Sequence, residues 1–293
     1  MIRAQRGARY ACVVLAACSW GTWPLILRRA DAIAPMDPAV TSTIVMGVIT
    51  LVGFAMTLRD RAPGRASLRA WGGIAILGVA DAMNVLLLFW AYRVTSVAIA
   101  VLTHYLTPIF VAIAAPFALG ERWSAKTAAA VAVSFGGLVL LLEPWGAPGA
   151  RAWVGAALGA ASAVFYATNV IVDKKILGPF SASELLAYHG VIATPLLALF
   201  APAGAWRALD GHALGILSVG AVGPGALAAL LFLFGLRALP ASHVSTLALL
   251  EPFVAVLLGA AFLSEPLRPL SCLGGALILV GAASVVVNGG SEA

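Results

Sequence analysis

Apolar runs of about 20 residues, the length that carries an α-helix across a bilayer, recur ten times along the sequence, separated by short clusters of Arg, Lys, Pro and Gly. The runs lie near residues 9–27, 38–58, 70–91, 95–118, 126–142, 152–172, 182–202, 212–234, 241–263 and 269–288. A soluble fold of 293 residues with 62% hydrophobic and 10% charged residues would lack the polar side chains to cover its surface. A mean hydropathy of +1.01 excludes a disordered chain as well. Transmembrane barrels alternate apolar and polar positions, and these runs do not. The expected fold class is all-α integral membrane, with ten transmembrane helices. The segments between runs leave no room for a soluble domain, so the chain must act within the membrane or at its edge.

The pI of about 9.7 would point a soluble protein towards nucleic acid. Here the basic residues flank apolar runs, which is a topology signal, and no nucleic-acid partner is expected. With the N-terminus inside, Lys and Arg favour the cytoplasmic side by two to one, led by Arg3, Arg6, Arg9, Arg59, Arg61, Arg65 and Arg69. Arg28 and Arg29 run against the rule. Both termini are therefore expected in the cytoplasm of a bacterial inner membrane. Leu15-Ala16-Ala17-Cys18 resembles a lipoprotein cleavage box, but the apolar run continues to Leu27, too far for a signal peptide. Cys12, Cys18 and Cys272 show no CxxC or Cys/His spacing, so neither a metal nor a cofactor is expected.

The chain also repeats itself. A shift of 144 residues places Arg93 on Arg237, Leu106 on Leu250, Pro108 on Pro252, Leu119 on Leu263, Glu121 on Glu265 and Gly137 on Gly281 without a gap. Apolar coincidences are cheap in such a composition, whereas Arg, Pro and Glu are scarce. Each copy holds five helices, and an odd number forces the second copy to run opposite to the first. The expected organisation is one membrane domain of two inverted repeats, 1–145 and 146–293. Secondary transporters use this architecture, with a site near the midplane between the halves.

Ten spans, a Trp-Gly pair at Trp20-Gly21, and the paired segments Thr107-Pro108…Leu119-Gly120-Glu121 and Glu251-Pro252…Leu263-Ser264-Glu265 resemble the EamA-type (DUF6) repeats of the drug/metabolite transporter superfamily. The resemblance covers nearly the whole chain. It implies a ten-helix transporter with a central cavity lined mainly by helices 1–4 and 6–9, helices 5 and 10 lying further out. Bacterial members often export amino acids or other metabolites, and the YddG-like exporters handle aromatic ones.

Polar groups inside apolar helices are costly, so they face a cavity or a partner. Asp81 and Asn84 share a face of helix 3. Asp81 reads as an amine partner, a proton carrier or a structural hydrogen-bonder. Its counterpart under the shift is Gly225 in Gly223-Pro224-Gly225, which is expected to interrupt helix 8 beside the cavity. Glu251 precedes Pro252 well inside helix 9 and could be protonated there, bonding the carbonyl that the Pro frees. Helix 4 carries Thr103, His104 and Thr107. Helix 6 carries Ser162, Tyr166, Asn169 and Asp173 as one polar stripe, and helix 1 carries Trp20 and Trp23 within the membrane. Gly136-Gly137 and Gly274-Gly275 suit close packing of helices 5 and 10.

The candidate substrate-binding residues are therefore Trp20, Trp23, Asp81, Asn84, Thr103, His104, Thr107, Tyr166, Asn169 and Glu251. An intramembrane metalloprotease would need a motif such as HExxH and an ATP-driven pump a GxxxxGK[ST] loop, neither of which occurs, and a rhomboid-like enzyme would need a GxSx nucleophile with an accessible His, a pair that the sequence does not offer. A scaffold would explain neither the repeat nor the polar mid-helix residues. The midplane lacks Lys and Arg, which disfavours phosphorylated solutes. Amino acids, aromatic or large apolar ones best, fit the aromatic and Thr residues; efflux of drugs or other metabolites is the alternative within transport.

Overall fold

A computed structural model of the chain describes residues 2–64, 66–122, 124–146, 151–263 and 266–288. Arg65, Ser264 and Glu265, all singled out above, lie outside the described residues. Among the described residues, ten helices are long and apolar enough to cross a membrane: α1 (Gln5–Asp31), α2 (Pro38–Thr57), α3 (Leu68–Val94), α4 (Val97–Leu119), α5 (Ala125–Leu142), α6 (Ala152–Ile176), α7 (Ala182–Leu199), α8 (Gly211–Leu236), α9 (Ala241–Leu263) and α10 (Pro269–Val287). An even number of spans puts the start of α1 and the end of α10 on one face of the bundle, here termed the terminal face.

Caps set most of the boundaries. Asp37, Ser67, Ser96 and Ser124 accept the first free N–H groups of α2, α3, α4 and α5. Ser181 and Glu184 form a reciprocal capping box at α7. Asp210 accepts from the Ala213 and His212 amides at the start of α8, and these bonds hold its carboxyl below the usual range. The start of α9 follows Pro240, whose side chain offers no cap. Glu121, from the α4–α5 connection, takes that place: its Oε1 accepts from the Ala241 amide at 2.6 Å and its Oε2 from the Ser242 hydroxyl at 3.3 Å. The Glu of the first repeated motif thus ties the two halves together.

The helix pairing obeys the repeat. α5 packs along α10 and α2 along α7, each pair mapping onto itself under the 144-residue shift; α3 packs on α6 and α1 on α8, two pairs that exchange. With lipid as solvent there is no hydrophobic drive between helices, and close backbone approach supplies the packing. A Cβ on Gly137 of α5 would lie 2.6 Å from the Gly274 carbonyl oxygen of α10, so only glycine fits that crossing. Gly136 faces open space instead, and Gly275 packs against the Phe253 ring.

Four spans are irregular. α1 is interrupted at Gly21 and Thr22, ahead of Pro24. α4 is broken between His104 and Thr107, and α9 between Leu247 and Leu250, breaks that coincide under the shift to within a residue. In both, a Pro three or four residues on removes a helix hydrogen bond. The expected interruption of α8 takes a milder form: Ala221–Leu227 is a π-helical segment with Pro224 inside, and the span runs on. A wider turn absorbs the missing Pro N–H without unwinding the helix.

Candidate functional site

A cavity of about 150 Å³ lies among α1, α2, α3, α6, α7 and α8. Its wall is aromatic and aliphatic on one side, with Trp20, Phe232, Ile49 and Leu77, and ionisable on the other, with Asp81, Asp173 and His189. Trp20 meets Phe232 with ring centroids 5.1 Å apart. Trp20 is the last residue before the α1 break, and Gly21 lets α9 come close there: a Cβ would sit 2.8 Å from the Glu251 carbonyl oxygen.

Asp81 is the centre of the polar side. Its Oδ1 accepts from Asn169 Nδ2 at 3.1 Å, and its Oδ2 lies 3.7 Å from His189 Nε2. His189 Nδ1 is 2.6 Å from the Leu185 carbonyl oxygen. A carbonyl only accepts, so Nδ1 carries a hydrogen. Nε2 then presents either a lone pair or a second proton to Asp81. The pair therefore has two charge states, and Asp173, which interacts electrostatically with both residues, feels the difference.

The α6 stripe divides by depth. Tyr166, Asn169 and Asp173 line the cavity. Ser162 is fully buried above them, donating to Asn84 at 2.8 Å and lying 2.9 Å from His104 Nδ1. His104 stacks on Tyr166 at 5.4 Å between centroids, the rings 9° from parallel. Thr107 donates to the His104 carbonyl at 2.8 Å, satisfying the group that Pro108 frees. Thr103 donates to the Ile99 carbonyl, and its hydroxyl fills the space at Gly159. Glu251 interacts electrostatically with Tyr105 of α4.

Of the residues singled out in the sequence, Trp20, Asp81, Tyr166 and Asn169 come together around the cavity. Asn84, Thr103, His104 and Thr107 form a hydrogen-bonded layer beside it, His104 and Thr107 buried and the other two partly so, Glu251 interacts electrostatically with Tyr105 from α9, and Trp23 packs against Gly220 of α8. Among the described residues, α4 and α9 contribute nothing to the cavity wall, contrary to the expectation for helices 1–4 and 6–9. Their breaks leave carbonyls that need partners, and their polar side chains turn to that task. His189, mid-helix in α7, carries less weight than His104 on sequence grounds, yet it is His189 that lines the cavity.

Comparison with known proteins agrees with this architecture. The EamA-like transporter family matches residues 8–143 and again residues 153–287. The chain belongs to that family, one copy per five-helix repeat, and is a membrane transporter. An uncharacterized transporter of Archaeoglobus fulgidus is 30% identical over 195 residues, which is 65% of this chain and 67% of the relative. The uncharacterized transporter YxxF of Bacillus subtilis is 28% identical over 210 residues, 70% of this chain and 66% of the relative. A solved crystal structure superposes with a TM-score of 0.77 at 20% identity, covering 97% of this chain and 99% of the other, a likeness of fold alone.

Proposed function

We propose that the chain is a secondary transporter that exports amino acids, by preference aromatic or large apolar ones, or similar small zwitterionic metabolites. It works by alternating access through the Trp20–Asp81–His189 cavity. The observation that carries this reading is the cavity's composition: aromatic walls, two carboxylates and an imidazole, held between helices of both inverted halves. Trp20, Tyr166 and Phe232 supply flat apolar surface for a side chain. Asp81 and His189 supply a proton-sharing pair that couples transport to protons. The excess of Lys and Arg near the terminal face supports cytoplasmic termini in a bacterial inner membrane, and the units 1–145 and 146–293 act as the two moving halves.

Counterflow in proteoliposomes tests the reading. Liposomes loaded with unlabelled phenylalanine, tryptophan or leucine should take up the labelled amino acid without ATP. Selective counterflow of a phosphorylated metabolite, with no amino-acid activity, would overturn it.

A further inference from the structure

We infer that Asp81, Asn169 and Asp173 form a subsite for a protonated amine, so that the protein selects its solutes by an ammonium group and leaves any carboxylate unanchored. The inference rests on the transport reading above and specifies the chemistry of the same cavity.

The first observation is an orphan acceptor. Asn169 is 8% exposed. Its Nδ2 donates to Asp81, while its Oδ1 is buried and has no hydrogen-bond partner among the described residues. An unmet buried acceptor costs about as much as a lost hydrogen bond and calls for a donor. Because Nδ2 serves Asp81, turning the amide over would set its oxygen against a carboxylate. The oxygen therefore stays where it is.

The second observation is the imbalance of charge around it. The described lining residues include Asp81 and Asp173 but neither Lys nor Arg; His189 is the one group there that can carry positive charge. Its Nδ1 hydrogen is committed to Leu185. A substrate carboxylate would meet Asp81 and Asp173, with His189, already set beside Asp81, as its one possible cationic partner among the described lining residues. An ammonium offers three donors and no acceptor, which suits the amide oxygen and the two carboxylates. The aromatic faces of Trp20 and Tyr166 in the same wall add cation–π attraction. Nearby Lys174 does not compete, because its amine donates to the Leu236 and Leu239 carbonyls.

The experiment is calorimetric titration of the purified full-length protein with phenethylamine, phenylalanine and phenylpropionate, beside counterflow of the same compounds. Phenethylamine and phenylalanine should bind comparably, and phenylpropionate at least about tenfold more weakly. Asn169→Leu and Asp81→Asn should each weaken phenethylamine roughly tenfold or more. Equal binding of phenylpropionate, absence of amine binding by the unaltered protein, or displacement of the amine by sodium but not potassium would each overturn the subsite. If a variant does not fold, the comparison of the three ligands on the unaltered protein still decides. Phenylalanine counterflow without amine binding overturns the subsite and leaves the transport reading. Amine binding without counterflow of any compound does the reverse.

Discussion

Thr50 of α2 and Thr194 of α7 stand 144 residues apart in the chain and face each other with hydroxyl oxygens 3.4 Å apart. The repeat carries one onto the other, so their contact marks the pseudo-two-fold axis. Thr50 also donates to the Met46 carbonyl one turn back. The space for this contact exists because position 190 is glycine: a Cβ there would collide with the Thr50 hydroxyl.

Gly190→Ala should therefore destabilise the protein by about 1–3 kcal/mol, the usual cost of overpacking. Adding Thr50→Ala should recover most of the loss, because the two residues share one space. Thermal melts of the four proteins check this. Additive losses would mean that α2 and α7 separate easily and that the axis is elsewhere.

Trp20→Ala should reduce counterflow about tenfold or more while the melting temperature stays nearly unchanged. The indole is partly buried, stacks on Phe232 and lines the cavity, so its loss removes solute contact surface. A melt that collapses together with transport would place Trp20 in the fold's support rather than in the solute's path.

Amine binding should weaken as pH falls. The groups that face Asp81 across the cavity are His189 from α7 and Asn169, Asp173 and Tyr166 from α6; α1, α2 and α8 contribute only apolar and aromatic side chains. A proton on His189 sets an imidazolium beside the carboxylate that an ammonium would occupy. The bound state thus holds fewer protons than the free one, and affinity rises with pH by up to about tenfold per unit in the range where His titrates, about pH 5 to 8. His189→Gln should flatten the profile. An unchanged slope in that variant would assign the titration to another group.

Glu121→Ala should lower stability by about 1–3 kcal/mol, since it strips the start of α9 of its charge-assisted cap. Glu121→Gln should recover part of it, keeping an acceptor for the Ala241 amide. If both variants melt like the parent, the cap contributes nothing and α9 is held by packing alone.

The span count, the inversion and the polar stripe on α6 were legible because each rests on local periodicity or on scarce residues recurring at a fixed distance. Asp81 was legible as a carboxylate in an apolar helix. His189 was less so: α7 also carries Ser183, Glu184, Tyr188 and Thr194, and which face of it looks inward is decided by packing against α2 and α3. The same limit hid the fate of the α4 residues. His104 and Thr107 read as solute contacts because they are polar, yet the carbonyl freed by Pro108 claims one and Ser162 the other. The partner of Glu121 was invisible for a simpler reason, since it lies 120 residues away. In α8, Gly-Pro-Gly announced a disturbed helix but did not distinguish a break from a π-turn.

The cavity's size has a thermodynamic consequence. Its volume of about 150 Å³ is roughly half the low end for small-molecule sites, about 300 Å³. An aromatic amino acid cannot enter until the helices around Asp81 move apart. Part of the intrinsic binding free energy goes into that expansion, and the apparent dissociation constant rises by the inverse of the fraction of molecules already expanded. The apparent affinity for such a solute then falls below what its contacts alone would give, by the cost of opening the space.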